Sequence, residues 1–184
     1  MHDLGRNEDR LRGTYEFPFE FHHIDSTHPR YVMSYHWHVE CEIMRVLQGT
    51  LTVTLDEKSF TAKAGDVIFV NSGVLHSGIP QDCIYQCIVF DMNMFLKFNS
   101  VCTEYMQKIS HQELLIYHHF TEKQPDIQRA VNSLFDSFWQ KKPGYELVVF
   151  GQFYHFFGLV FGNHYYLESL RKTRRDYKRI VQLK

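Results

Sequence analysis

The first half of the chain alternates apolar and polar residues in short runs, which are separated by Gly, Asp and Asn residues. Alternation with a period of two is typical of strands with one buried face, and Gly and Asp are typical turn residues. The pattern predicts strands over residues 15–21, 30–46 (as one or two strands), 51–55, 60–64, 67–70 and 84–90. Turns are predicted at 48–50, 56–58, 64–66 and 71–73. Several short strands at this spacing favour a β-sandwich or a closed β-barrel.

The predicted strand over residues 36–46 presents different side chains on its two faces. His36, His38, Glu42 and Met44 share one parity, so they point to the same side of the strand. Trp37 and the other odd-numbered residues point to the opposite side, and both sides are largely apolar. A strand of this kind is expected to be covered on both faces. We therefore expect the even-numbered residues to line the interior of the barrel.

Two imidazoles and a carboxylate on one face, followed later by a third imidazole, make a set of potential metal ligands. Zn, Ni, Fe and Mn all accept histidine and carboxylate ligands. The set predicts either a divalent metal ion or a metal-free polar lining of a pocket, in both cases at His36, His38, Glu42 and His76.

After Asp91 the hydrophobic period lengthens, and helices are predicted in place of strands. A helical turn is predicted over 92–98, while residues 103–120 favour no single element. An amphipathic helix begins at Pro125 and ends before Pro143. A second helix over 145–161 is apolar nearly all round, but it is shorter than the roughly 20 residues of a membrane span. It also contains Gln152 and His155, so no membrane partner is expected.

The second predicted helix has two apolar seams. One seam consists of Val149, Phe153, Phe156 and Val160, and the other of Leu147, Gly151, Tyr154, Gly158 and Phe161. If one seam packs on the barrel or on the preceding helix, the other is exposed, which soluble monomers rarely tolerate. A two-fold pairing of helices would cover it. We therefore expect a homodimer, with the glycine-containing seam as the candidate interface.

Composition narrows the class of protein further. The 184 residues carry a formal net charge of −1, so the chain as a whole is not expected to bind polyanions. The four cysteines form no C-x-x-C pair and no secretory leader is present, which predicts reduced thiols and a cytoplasmic location. Residues 1–13 are polar without periodicity and are expected to form a flexible tail, and the basic segment from residue 170 a solvated helix or linker.

The candidate ligands lie within two sequence motifs that resemble the paired motifs of the cupin superfamily. The first, H-x-H-x3-E-x6-G, is met at His36, His38, Glu42 and Gly49, and the second is met at Gly65, Gly73 and His76. The second motif departs from the family at Asn71, where Pro is usual, and at Pro80, where Asn is frequent. Within the superfamily, residues 36–53 and 62–78 resemble the sensor domain of AraC-type (AraC/XylS family) transcription regulators.

The resemblance implies a mainly β fold: a cupin barrel (a double-stranded β-helix similar to a jelly roll) followed by a C-terminal α-helical dimerisation segment. The expected layout is a tail over 1–13, a sensor barrel over 14–98, and a helical segment with a basic linker over 99–184. The family's helix-turn-helix domain is expected after residue 184, so DNA is a partner only through that absent domain. The barrel is expected to bind a small polar effector, a sugar being one candidate, on His36, His38, Glu42, Met44 and His76.

Two other classes remain as alternatives. A metal-dependent cupin enzyme of the isomerase or dioxygenase type would use the same four ligands, all of which are retained. A closed barrel filled by aromatic side chains would instead be an interaction domain without a ligand. The helical, basic C-terminal extension favours the regulator, because a stand-alone enzyme does not need it. The prediction is thus a regulatory domain rather than an enzyme, with no required cofactor and with a divalent ion as an option.

Overall fold

A computed structural model describes residues 7–8, 12–97 and 101–169 of the chain. Its first half contains the strands β1 (Phe19–Ile24), β2 (Met33–His36), β3 (Cys41–Leu55), β4 (Lys58–Lys63), β5 (Val67–Val70) and β6 (His76–Phe90). Its second half contains a 3-10 helix (Met92–Leu96), then α1 (Thr103–Ser110), β7 (Leu114–Ile116), β8 (His119–Phe120), α2 (Pro125–Gln140), α3 (Tyr145–Gly162) and β9 (Tyr166–Glu168). The fold is mainly β with a helical second half, as predicted.

Two long strands organise the barrel. Neighbouring strands of the main sheet are antiparallel in the order β1-β6-β3-β5-β8, while β2 also pairs with β6 and β4 with β3. β3 and β6 pair along their whole lengths, from Cys41 opposite Phe90 to Leu55 opposite His76. One half of this pair carries β1 and β5, and the other half carries β2 and β4. The remaining strands, β7 and β9, form a separate two-stranded sheet.

The turn predicted at residues 48–50 is wrong, because β3 continues through this segment without ending. The pairing with β6 instead shifts register between Val46 and Gln48 and again between Gln48 and Thr50, which marks a β-bulge. Gly49 has a φ of +67°, and a Cβ there would lie 2.2 Å from the Asp82 carbonyl oxygen. The bulge changes which residues face inward, from the even-numbered Met44 and Val46 to the odd-numbered Leu51, Val53 and Leu55.

The predicted bounds of two other strands also differ from the structure. β1 begins at Phe19 rather than at residue 15, since Pro18 lacks the N–H that a sheet ladder needs. It extends instead through His22 and His23, beyond the predicted end at residue 21. β6 begins at His76 rather than at residue 84, because its first half contains residues that interrupt the hydrophobic alternation and are typical of turns. The predicted hairpin at 56–58 and turn at 71–73 are confirmed.

The helices cover the outer face of the sheet. Their shared cluster, here called the helix-side core, includes Ile43, Phe69 and Phe90 of the sheet and Phe135, Phe153 and Phe156 of the helices. α2 buries the predicted stripe of Ile127, Ala130, Val131, Leu134, Phe135 and Phe138. The opposite face of the sheet encloses a second cluster, here called the barrel interior, which includes Met44, Val46, Leu51, Val53, Ile68 and Tyr85.

The two seams of α3 have different environments. Val149, Phe153, Phe156 and Val160 are buried in the helix-side core. Leu147 is 80% exposed, Gly151 and Gly158 are exposed, and an added Cβ on either glycine would meet nothing within 4 Å. Tyr154 and Phe161, at the edge of this second seam, are partly buried. Within the described ranges, no helix is long and apolar enough to cross a membrane.

Part of the N-terminal segment lies on the barrel. The Glu8 amide donates to the Trp37 carbonyl oxygen at 2.9 Å, and Arg12 is only 3% exposed. These contacts differ from the flexible tail predicted for 1–13, of which residues 1–6 and 9–11 lie outside the described part. The basic segment predicted from residue 170 onward also lies outside it, as does residue 98 of the predicted helical turn.

Candidate metal and ligand site

Four predicted site residues meet where β2, β3 and β6 lie side by side. His36 ends β2 and is paired with His76 at the start of β6, His38 lies in the connection to β3, and Glu42 is near the start of β3. Their potential ligand atoms all lie within 4.8 Å of one another. Strand pairing thus brings together the side chains that the parity of the sequence placed on one face.

A common kind of hydrogen bond orients the three imidazole rings. In each ring Nδ1 faces a backbone carbonyl two residues away: for His36, His38 and His76 these are the carbonyls of Ser34 (2.8 Å), Glu40 (3.1 Å) and Val74 (2.8 Å). A carbonyl oxygen only accepts, so Nδ1 carries the proton and donates it, and Nε2 of each neutral ring holds a lone pair. Backbone acceptors of this kind are a usual support of metal-binding histidines.

The Nε2 atoms converge on the Glu42 carboxylate. Glu42 Oε2 lies 3.2 Å from His76 Nε2 and 3.6 Å from His38 Nε2. Both Nε2 atoms are buried, and neither is aligned for a hydrogen bond. When the rings are neutral, lone pairs therefore face a carboxylate oxygen, an arrangement that a proton or a metal cation between them would stabilise.

The ionisation of these groups is coupled. Burial alone would raise the pKa of Glu42, but the neighbouring His38 and His76 outweigh it and hold this pKa well below its usual range. Burial, together with the charge of His76, lowers the pKa of His36. Burial also acts to lower the pKa of His76, but the nearby Glu42 carboxylate outweighs it and raises this pKa. The site thus offers one ionised carboxylate among three imidazoles, a donor set suited to a divalent cation.

The turn before His76 holds the cluster in place. The Gly73 amide donates to the His38 carbonyl oxygen at 2.9 Å, and the φ of Gly73 is +75°, a conformation that favours glycine. Asn71, where the cupin motif usually has Pro, accepts from the Ile116 amide at 3.0 Å and donates to the Ile116 carbonyl at 2.8 Å. This departure therefore ties the turn to β7.

Met44, the fifth predicted site residue, lies among apolar side chains. It is fully buried in the barrel interior and is directly opposite Cys87 on β6. Cys87 was not predicted to belong to the site, yet it lies close enough to Glu42 for the carboxylate to affect the pKa of its thiol. Burial and the Glu42 charge raise the pKa of this thiol well above its usual range, so it is present as a neutral thiol.

The open side of the cluster faces the N-terminal segment. His36 has 24% of its side chain accessible, whereas the other three have at most 4%. Glu8 Oε2 lies 3.9 Å from His36 Nε2, and the buried Arg12 bridges Glu8 and Glu20. Of Glu8, Arg12 and Glu20, only Glu20 could be placed by the sequence pattern. It alternates along β1 with phenylalanines that point to the other side of the strand, so it points inward. No periodicity marked Glu8 or Arg12.

A separate cavity of about 580 Å³ lies outside the barrel, between α2 and the start of α3. It is lined by polar residues including Arg129, Asn132, Asp136 and Lys142, and it contains none of the predicted ligands. The chemistry described above therefore belongs to the barrel rather than to this surface groove.

The barrel has a cupin fold, and the sequence model of the family described as "AraC-like ligand binding domain" matches residues 18–157. The chain belongs to this family. It is therefore a ligand-binding domain of the kind found in AraC-type transcription regulators, with a cupin fold.

One curated relative supports this assignment. The chain is 34% identical over 56 residues to a Bacillus subtilis (strain 168) protein named "Uncharacterized HTH-type transcriptional regulator YdeC". This match covers 29% of the chain and 19% of the relative, so the chain spans only a small part of that protein.

Solved structures overlap the chain only in part. Oxalate decarboxylase of Bacillus subtilis, which has Mn(II) centres, matches with 25% identity and a TM-score of 0.30 over 33% of this chain and 18% of that one. A Streptococcus pyogenes protein of unknown function, SPY1581, matches with 15% identity and a TM-score of 0.34 over 40% of this chain and 62% of that one. Overlaps of this size carry no weight for function.

Proposed function

We propose that this chain is the effector-sensing and dimerisation domain of a DNA-binding transcription regulator, and that it binds a small polar metabolite at His36, His38, Glu42 and His76. The cluster carries the proposal: the Nε2 atoms of His38 and His76 face one ionised carboxylate, and a ring nitrogen of His36 lies within 4.8 Å of both. Membership of the ligand-binding family supports the regulatory role. DNA binding is assigned to a helix-turn-helix domain outside this chain, and such a regulator would work in the cytoplasm.

The residues of the site fit a divalent metal ion such as Zn, Ni, Fe or Mn. They supply three imidazole lone pairs and one carboxylate within a small volume, and the backbone bonds to Nδ1 keep the rings from turning away. When bound, the ion supplies a Lewis-acid position that attracts an oxygen atom of the ligand. The more exposed side of His36 is the side from which a ligand reaches this position.

Binding at this site can influence the helices because the two share the β3 wall. Glu42 faces the site, while its neighbour Ile43 lies in the helix-side core. Arg45 extends from the same strand to α2, where it donates to Asp136 at 2.8 Å and to the Asn132 side chain at 3.0 Å. A ligand that binds one arrangement of these elements more tightly shifts their equilibrium toward it. In this proposal that shift repositions the DNA-binding domains.

The metal content of the purified protein tests the site. We expect about one divalent ion per chain, and free metal at 100 times its Kd should stabilise the fold by about 2.7 kcal/mol. His38→Ala should lose both the ion and this stabilisation, because it removes a buried ligand. His155→Ala, on the exposed side of α3, is the matched control and should keep both. A protein that holds no ion after incubation with zinc, and whose melting ignores chelators, would leave a metal-free pocket as the alternative.

The exposed seam of α3 supports the dimerisation part of the proposal. Leu147, Gly151 and Gly158 lie on one face with open space above both glycines, which permits a second helix to approach closely. The partner that fits such a seam is the same seam of a second copy, since a two-fold axis pairs like with like.

Changing the charge of this seam tests the dimer. Leu147→Glu should lower the mass measured by light scattering from dimer to monomer, because it places two carboxylates at the proposed interface. Leu167→Glu, at a comparably exposed leucine of β9, should leave the mass unchanged. A monomer mass for the unmodified chain at micromolar concentration would contradict the proposal.

A metal-dependent cupin enzyme of the isomerase or dioxygenase type is the second candidate. One observation favours it: a set of protein ligands with one accessible side is also the arrangement of catalytic metal sites. The fate of a bound small molecule distinguishes a sensor from an enzyme. Recovery of the molecule unchanged after prolonged incubation supports a sensor, whereas its conversion to a product supports an enzyme.

A further inference from the structure

We propose that the effector of this site is a small carboxylate, and that the Glu8 side chain now occupies the place of the effector's carboxylate group. The inference rests on the proposed function, because it names the class of ligand that the same site binds. It also assigns Glu8, Arg12 and Arg30 to ligand recognition, although none of them belongs to the ligand motifs.

The Glu8 carboxylate is held as a bound carboxylate ligand would be. Oε1 accepts from Arg30 at 2.7 Å and Oε2 accepts from Arg12 at 2.8 Å. The same Oε2 lies 3.9 Å from Nε2 of His36, the accessible member of the metal-ligand set. Two guanidinium groups that grip one carboxylate are a strong and specific recognition element for this chemical group. Here that element lies at the open side of the proposed metal site.

Because Arg12 is buried, the pair of guanidinium groups on Glu8 reaches into the interior of the protein. Its side chain is 2% exposed and also donates to Glu20 at 2.7 Å. Its Nε is buried without a hydrogen-bond partner, so the guanidinium retains capacity for one more acceptor. Arginine stays charged in proteins, and a buried arginine has to be matched by anions. A ligand carboxylate at the Glu8 position would keep the Arg12 charge matched after Glu8 has left.

Calorimetric titration of the zinc-loaded chain tests the inference with two probes of similar size. Glycolate carries a carboxylate and a hydroxyl, whereas ethylene glycol is neutral. We expect glycolate to bind and ethylene glycol not to bind measurably. Glu8→Gln removes the competing negative charge, so it should bind glycolate about tenfold more tightly. Arg30→Gln, at an exposed arginine, should bind glycolate about tenfold more weakly.

The matched control is Glu57→Gln, an exposed carboxylate in the β3–β4 hairpin, which should bind glycolate like the unmodified chain. Equal affinity of the unmodified chain and Glu8→Gln for glycolate, or equal affinity for glycolate and ethylene glycol, would overturn the inference while zinc binding stands. If zinc itself does not bind, the proposed metal site fails. The Glu8→Gln comparison with glycolate then decides the carboxylate inference in the metal-free protein.

Discussion

Two neighbouring residues of β3 enter two different environments, although both are almost fully buried. Ile43 is 0% exposed and lies in the helix-side core, whereas Glu42 is 3% exposed and lies among three imidazoles. The helix-side core consists of apolar side chains and is dominated by phenylalanine rings. At the ligand end of the barrel, buried nitrogen atoms of His38, His76 and Arg12 have no hydrogen-bond partner.

This difference separates the residues that stabilise the fold from the residues of the proposed ligand site. Burial of apolar area is the main favourable contribution to folding, and the helix-side core supplies much of it. Burial of a polar group without a partner costs free energy, by about 1–3 kcal/mol in protein mutants. A fold that retains several such groups in one place is best explained by a ligand or ion that satisfies them. Two pairs of substitutions test this difference.

Phe153→Ala should produce the largest loss of stability. The ring lies in the helix-side core against Phe19, Phe90 and Phe95, so its removal leaves a cavity that rigid neighbours cannot fill. We expect the free energy of unfolding in urea to fall by about 3–5 kcal/mol. Leu147→Ala on the same helix, at an 80% exposed position, is the control and should change it by less than about 0.5 kcal/mol in dilute protein. Similar losses for the two variants would contradict the assignment of the helix-side core.

The same substitution at two glycines should have opposite and smaller effects. Gly49→Ala should destabilise the fold by about 2 kcal/mol or more, because the new Cβ occupies a left-handed conformation and meets the Asp82 carbonyl. Gly151→Ala, in the exposed face of α3, should stabilise the monomer by about 0.8–1.0 kcal/mol. Both changes in stability are measured by urea unfolding, at protein concentrations too low for dimerisation. A neutral Gly49→Ala would mean that the bulge does not determine which residues of β3 face inward.

The site could be predicted from the sequence because its residues obey local rules. His36, His38 and Glu42 lie close together in the chain and share a parity, and the motif spacing brings His76 to the paired strand. The strand is in fact interrupted between His36 and Glu42, yet these side chains still lie in one cluster. Met44 shares the parity too, but it is surrounded by apolar residues of the barrel interior.

Features that depend on distant parts of the chain could not be predicted in this way. The bulge at Gly49 is imposed by the approach of the Asp82 backbone on another strand, and a glycine in a turn has the same local sequence. The clamp on Glu8 includes Arg30, which lies 22 residues further along the chain and is marked by no periodicity. Asn71 departs from the cupin motif because it bonds the backbone of Ile116 in the helical half. Each of these became visible only once the strands were paired.

X-ray absorption of the metal-loaded chain tests the proposed metal centre, because it reports the atoms bound to the ion. We expect only nitrogen and oxygen ligands, at about 2.0–2.2 Å for zinc, with the outer-shell scattering of three imidazole rings. His76→Ala should reduce the signal to two rings. Sulfur scattering, which would place a thiol such as Cys87 on the ion, or fewer than three rings in the unmodified protein, would contradict a centre built from His36, His38, Glu42 and His76.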